Sequence, residues 1–367
     1  MEKPILAAML SIAGTELSSQ EKFLLEKANP LGITLFGRNI LNKKQLQNLT
    51  KEIRETIGRD DILIAVDQEG GRIRRLAEPD FSPYAAQAEL GEIEERFGKG
   101  TAERTMRNHA ALISKDLSNT GINWNYAPVL DIAYNDTTPA LKSRCFGNDE
   151  KKTATYGRMM IEEYIKSGIC PCIKHMPGHG RAVNDPHLGL PVLNYSLEEL
   201  AKDFYPFQYN NQAPAGMTAH IQISAIDDTR PVTQSAKAIK TLIRGIIGFD
   251  GFLISDAIDM HALKGSLTEK TEKSLNAGCD AVCYCMGELN GLEELAATRC
   301  FMEDKSLIRF VKIINIINNR NRDYDYLKIA EDYQKIIGGI EKYDERYDAT
   351  ETLHKMKSLN NEETIKC

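Results

Sequence analysis

The sequence predicts an α/β protein: a closed (β/α)8 TIM barrel, single domain, with a C-terminal helical extension. Three observations carry this expectation. Short β-rich apolar runs alternate with longer amphipathic stretches, and eight such runs occur. Polar, Gly-rich and His-rich segments come directly after many of them, as they do where strand ends converge on the active face of a barrel. No G-x-G-x-x-G follows an early strand, so a dinucleotide-binding sheet has no support.

The expected strands are Ile5–Met9, Leu31–Phe36, Ile62–Val66, Ile122–Tyr126, Cys170–Lys174, Ala215–Met217, Phe252–Ile254 and Ala281–Cys285. Between them, Ser18–Ala28, Lys43–Ile57, Thr101–Ser118, Lys151–Lys166, Leu197–Asn210 and Ala236–Ile246 carry apolar residues at helical spacing. Strands separated by crossovers of a dozen or more residues pair in parallel. The apolar stretch Ile5–Ala13 suits a signal peptide or a first buried strand. Glu2 offsets Lys3 and no cleavage-site stretch follows, so a strand is expected.

The chain has 367 residues. That is enough for two or three average domains, or for one barrel of about 250 residues with extensions. Near residue 300 the composition shifts. No proline follows Pro231, and from Phe301 the chain is rich in charge, Asn, Lys and Ile. Residues 1–300 are therefore assigned to the barrel and 301–367 to a helical extension with a frayed tail.

Lys and Arg number 46 against 52 Asp and Glu, a net charge of -6. This argues against a nucleic-acid or acidic-membrane footprint, which needs clustered basic charge. No apolar run approaches the roughly 20 residues of a membrane span. The eight cysteines read as reduced, buried thiols of a cytoplasmic protein. Cys279, Cys283 and Cys285 lack the paired C-x2-C spacing of structural zinc sites, and their alternation with apolar residues suits a strand. No metal and no cofactor is expected. A monomer is.

Four segments carry chemistry. The densest runs Lys174-His175-Met176-Pro177-Gly178-His179-Gly180-Arg181 and on to Asp185-Pro186-His187, with three of the seven histidines after a strand. Gly and Pro leave no fixed ligand spacing, and Lys174 beside His175 disfavours a dication. A substrate-binding, acid–base loop is expected rather than a metal site. Asp256 directly follows an apolar strand, where a carboxylate can serve as nucleophile or base; a helix N-cap is the other role open to it. In Asp67-Gln68-Glu69-Gly70-Gly71-Arg72-Ile73-Arg74-Arg75 the glycines allow a sharp turn. There Asp67 can accept two sugar hydroxyls, and the arginines can hold an anion or structural carboxylates. Arg144, within Lys142-Ser143-Arg144-Cys145-Phe146-Gly147, is the fourth.

Together these segments resemble the family 3 glycoside hydrolases, in their short single-domain β-N-acetylhexosaminidase branch. The resemblance runs from about residue 5 to residue 290. It rests on D-Q-E-G-G-R at Asp67–Arg72, R-C-F-G at Arg144–Gly147, K-H-M-P-G-H-G-R at Lys174–Arg181 and D-P-H at Asp185–His187. M-T-A-H at Met217–His220 and S-D-A-I-D-M at Ser255–Met260 complete it. It implies retaining hydrolysis of terminal β-linked N-acetylglucosamine and, in Gram-negative bacteria, cytoplasmic muropeptide recycling. It implies Asp256 as nucleophile, His187 as acid/base and Asp185 as the residue that orients His187. Asp67, Arg75, Arg144, Lys174 and His175 fall at sugar-binding positions.

A histidine near its unperturbed pKa of about 6.5 suits both proton donation and acceptance at neutral pH. The chain departs from many relatives at Ala257 and Asp259, and at Leu141-Lys142-Ser143. Of the two acids near the strand end, Asp256 is chosen because it abuts the strand, and Asp259 is expected to start the next helix. The expected pocket is locally basic, from Arg75, Arg144 and Lys174. Chitin oligomers as substrates, a family 3 β-glucosidase, a metal-dependent hydrolase and a non-catalytic amino-sugar or muropeptide-binding barrel remain as alternatives.

Overall fold

The structure is a computed structural model that describes residues 3–183, 189–320 and 323–339. Asp185 and His187 lie outside these residues. Eight parallel strands close into a barrel in sequence order. They are β1 (Leu6–Leu10), β2 (Pro30–Leu35), β3 (Leu63–Val66), β4 (Trp124–Asn125), β5 (Cys170–Met176), β6 (Ala215–Thr218), β7 (Phe252–Ala257) and β8 (Ala281–Cys283). All eight expected strands are present, with shifted ends. The N-terminal apolar run is β1, paired with β2 on one side and β8 on the other, where Ala8 lies opposite Val282.

Side chains alternate across each strand. Ala7 and Met9, Leu63 and Ala65, Cys170 and Cys172, and Phe252 and Ile254 all belong to one buried cluster that fills the lumen. Trp124 sits in the same cluster, edge-on to Tyr126 and Phe252. The cysteines of β5 and Cys283 of β8 are thus core residues, and all the described cysteines are free thiols. The opposite parity, including Leu6, Ala8, Leu10, Ile33, Leu35, Ile64 and Val66, faces the surrounding helices.

Those helices are α1 (Ser19–Ala28), α2 (Lys43–Ile57), α3 (Lys99–Asn119), α4 (Glu150–Lys166), α5 (Ala201–Tyr209), α6 (Ala236–Ala238, widening into a π-helix over Ile239–Ile246), α7 (Leu267–Ala277) and α8 (Leu289–Ala297). Their starts are written in side chains. Ser18 with Glu21, and Ser266 with Glu269, form reciprocal capping boxes, and Asn42 and Asp149 accept from first-turn amides.

β4 is shorter than expected. Asn123 uses its own amide where a strand would use backbone: its Oδ1 accepts from Ile64 N and its Nδ2 donates to Ile62 O. Asn125 does the same toward Gln68, so side chains replace part of the ladder.

Beyond residue 300 the described residues form two helices, α9 (Asp304–Asn318) and α10 (Tyr326–Ile337). α9 closes the bottom of the barrel, adding Phe310 and Ile313 to the lumen cluster, with Met302 just before it. Ser306 and Arg309 both reach Asp280, at the entry to β8. α10 lies against α3, where Asp332 accepts from Arg104 and Asn108. Among the described residues no helix is long and apolar enough to cross a membrane.

The lumen depends on its largest side chain. Trp124→Ala lowers the unfolding free energy by about 3–5 kcal/mol, to be measured by urea denaturation of the whole chain.

Candidate active site

Strand parity builds the floor of the site. The lumen-facing rows of β3, β5 and β7 each extend by one step, to Asp67, Lys174 and Asp256. In a barrel of eight strands, alternate strands contribute to one layer of side chains, so these three residues form the layer above the apolar core. The buried Cys172 thiol beneath them is pushed up by burial, with Lys174 acting against the shift and Asp67 and Asp256 adding to it.

Lys174 is 1% exposed and donates to Asp67 Oδ1 at 2.7 Å and to Glu69 Oε1 at 2.6 Å. Glu69 also receives both arms of Arg144, Nε to Oε2 and Nη2 to Oε1, each at 2.8 Å. Burial alone would raise the Glu69 carboxyl; Arg144 and Lys174 override it and hold the group far below the usual carboxylate range. Burial would lower Lys174, yet Asp67 and Glu69 carry it above its ordinary value. Arg75 Nη2 stands 3.9 Å from Asp67 Oδ2, and its guanidinium shares the Phe36 ring with that of Arg38.

A second carboxylate organises the β5 exit. Asp131 is fully buried and accepts from His175 Nδ1 at 2.7 Å and from His179 N at 2.6 Å. Arg144 Nη2 lies 3.3 Å from His175 Nε2. A guanidinium only donates, so Nε2 accepts and Nδ1 carries the proton given to Asp131. Burial would raise the Asp131 carboxyl, but His175 first, and His179 with it, brings it below its ordinary value. The Lys174–His175 peptide is cis. Gly180 is required by close approach, since a Cβ there would stand 1.8 Å from Ile132 O. Arg181 closes the described part of the loop, bonded to Asp203 at 2.7 Å and held between the rings of Tyr134 and Tyr195.

Asp256 is the penultimate residue of β7, half-buried, with Oδ1 accepting from Ala257 N at 2.8 Å. His220, from the M-T-A-H segment, is buried between Thr233 Oγ1 and Ala257 O and so fixes the backbone beside Asp256. Asp259 does not start a helix. Its Oδ1 accepts from Cys285 N, tying the β7 and β8 exits together, and the next helix begins after Ser266.

Asp67, Arg75, Arg144, Lys174 and His175 thus form one connected network, with Asp256 in the same layer. The expected basic pocket is instead charge-compensated: Arg75, Arg144 and Lys174 meet Asp67 and Glu69. Three residues at the centre, Glu69, Asp131 and His179, were not singled out from the sequence, although Glu69 and His179 lie inside its motifs. His179 is 6% exposed, and neither ring nitrogen has a hydrogen-bond partner among the described residues. No group of three or more His, Cys, Asp or Glu among the described residues is arranged to hold a metal.

The profile of the glycosyl hydrolase family 3 N-terminal domain matches residues 6–308. The chain belongs to glycosyl hydrolase family 3. The beta-hexosaminidase of Neisseria meningitidis serogroup C is 36% identical over 282 residues, covering 76% of this chain and 77% of that one. The beta-hexosaminidase of Bordetella avium is 31% identical over 282 residues, covering 76% and 79%. The crystal structure of NagZ from Neisseria gonorrhoeae in complex with N-trifluoroacetyl-D-glucosamine superposes with a TM-score of 0.81 at 30% identity, covering 91% of this chain and 98% of that chain. A family 3 β-N-acetylglucosaminidase from Paenibacillus gives a TM-score of 0.76 at 26% identity, covering 90% and 66%. The barrel and the family are therefore those expected from the motifs.

Burial lowers both His179 and His109, a buried histidine of α3, to about 4. A histidine depressed in the folded state binds its proton first in the unfolded chain. Stability is then complete above the unfolded value of about 6.5 and is lost as pH falls toward the folded value. Each histidine adds about 1.4 kcal/mol per pH unit to that loss. Urea unfolding at pH values between 4 and 6.5 should show this slope, and His179→Asn should make it shallower by about one proton equivalent.

Proposed function

We propose that this family 3 member is a retaining β-N-acetylglucosaminidase that removes terminal, non-reducing β-linked N-acetylglucosamine from peptidoglycan fragments. The proposed substrates are the disaccharide with 1,6-anhydro-N-acetylmuramic acid and its peptide-bearing forms, met during cytoplasmic cell-wall recycling. The observation that carries the reading is the layer of Asp67, Lys174 and Asp256 above the barrel core, joined to Arg144 and His175. A carboxylate at Asp256 near these fixed donors and acceptors supports a nucleophile role for it and sugar binding for them.

In this scheme Asp67 accepts from sugar hydroxyls, while Lys174, Arg144, Arg75 and His175 hold the ring from its other edges. Asp256 attacks the anomeric carbon and forms a glycosyl ester as the aglycone leaves. His187 gives its proton to the departing oxygen, then takes one from the incoming water, which hydrolyses the ester and regenerates Asp256. Asp185 orients the imidazole and stabilises its cation, the division of labour of a triad aspartate. In the sequence, Asp185 and His187 stand between β5 and β6, in the segment that leaves β5. That loop is anchored on its described side by Asp131 and by Arg181. The beta-hexosaminidase relatives support the amino-sugar specificity.

Two measurements test the scheme. A 2-acetamido-2-deoxy-5-fluoro glycosyl trap should add one glycosyl mass to the peptide bearing Asp256, and labelling elsewhere overturns the nucleophile. Replacing His187 by Gly should slow hydrolysis of a poor leaving group by about 10²–10⁴-fold and barely affect an activated aryl glycoside. Equal losses on both substrates reject His187 as the acid/base.

A further inference from the structure

The carbonyl of Glu69 has a partner that neither the motifs nor the proposed chemistry employs. His109, on α3, is fully buried, and its Nε2 lies 3.1 Å from Glu69 O. Its Nδ1 lies 2.8 Å from the hydroxyl of Tyr333 on α10, which is also fully buried. The same hydroxyl accepts from Ala85 N at 3.0 Å.

Proton bookkeeping leaves one arrangement. A peptide N–H only donates, so Tyr333 accepts from Ala85 and gives its own hydrogen to His109 Nδ1. A carbonyl only accepts, so His109 Nε2 carries the proton bonded to Glu69 O. Both ends demand the same tautomer of an imidazole that burial keeps uncharged near neutral pH. The groups facing the ring are the Tyr333 hydroxyl, the edge of Tyr84 and the Glu69 carbonyl. The Tyr84 hydroxyl is itself committed to Asp116 at 2.6 Å.

The loop has little freedom on that side. Gly70 has φ +104, and a Cβ there would stand 2.1 Å from Ala85 O and 3.1 Å from His109 Cε1. Gly71 N donates to Tyr84 O at 2.8 Å. Ala85 is therefore in contact with the Gly-Gly turn and with Tyr333 at once. Displacing the tyrosine hydroxyl frees the turn and the Glu69 peptide together.

We infer that Tyr333 is a positioning residue for sugar binding: through His109 it fixes the Glu69 peptide, and through the Glu69 carboxylate the donors Lys174 and Arg144. The C-terminal extension thereby acts on the active site 264 residues away in sequence without touching substrate. The inference rests on the glycosidase reading above.

The test uses the full chain, an aryl N-acetyl-β-glucosaminide and ¹⁵N-labelled histidine. Tyr333→Phe keeps the buried ring and removes only the hydroxyl. It should raise KM about tenfold, the effect of leaving buried polar groups unpaired, with kcat within about twofold. The His109 resonances should move from a single Nε2–H tautomer to a mixture that titrates at higher pH. Asp332→Ala removes the surface bonds of the same helix to Arg104 and Asn108 and should lower Tm while leaving KM unchanged. His109→Gln, which retains an N–H donor toward Glu69, should recover most of the affinity lost in His109→Leu; this pair also decides the matter if Tyr333→Phe does not fold. Equal KM changes in Tyr333→Phe and Asp332→Ala, an unchanged KM in Tyr333→Phe, or an Nδ1–H tautomer in the wild type would each overturn the inference. Absence of wild-type turnover would instead reject the glycosidase reading, and the same fold-changes would then be read in Kd for N-acetylglucosamine.

Discussion

The carboxylate of Glu69 is the constraint on which the rest of the site depends. Three chain segments distant in sequence meet at its two oxygens: its own loop after β3, Arg144 and the end of β5 at Lys174. A unit charge pair at this separation is worth about 6 kcal/mol at an effective dielectric of 20. Withdrawing each ion from water costs several kcal/mol, so little net stability is left over. The arrangement does more for position than for stability. Once Glu69 is buried and charged, Arg144 and Lys174 have one low-energy geometry. Removing either partner would strand a charge, at a cost of about 3–5 kcal/mol.

Asp131 repeats this logic one strand on. It takes a backbone and a side-chain hydrogen bond from His175, and a backbone one from His179. Arg144 joins the two centres, because the arm that holds Glu69 also reaches His175 Nε2. The network thus runs unbroken from the β3 loop to the start of the loop that follows β5. The polar groups nearest the proposed sugar site are preorganised before any ligand arrives, and donors fixed in this way need no reorganisation when charge develops during reaction.

Much of this was legible in the sequence, for physical reasons. A parallel strand buried on both faces is a short apolar run, and eight of them separated by amphipathic helices leave few topologies. A carboxylate at the end of such a run points into the barrel mouth, so Asp67 and Asp256 stood out, whereas Lys174 was reached only through its motif. Asp131 was not visible, because Val129-Leu130-Asp131 follows a strand that Asn side chains cut short. Nothing local distinguishes it from any acid in a loop. Tyr333 was hidden more deeply. It lies in a charged, Ile-rich tail, and its importance comes from contacts with residues more than two hundred positions earlier. Asp259 was misplaced because an Asp after a strand suits a helix N-cap. The capping box at Ser266 and Glu269 was the better signal for where that helix starts.

The charge arithmetic of the whole chain excluded nucleic acid but could not describe the pocket, and counting only its cations suggested the wrong field. Arg75, Arg144 and Lys174 are opposed by Asp67, Glu69 and Asp131. A cleft of that composition has no large excess of either sign with which to draw in a phosphate or a polyanion. What it offers are fixed donors and acceptors facing a common space, and these suit a neutral ligand dense in hydroxyl and amide groups.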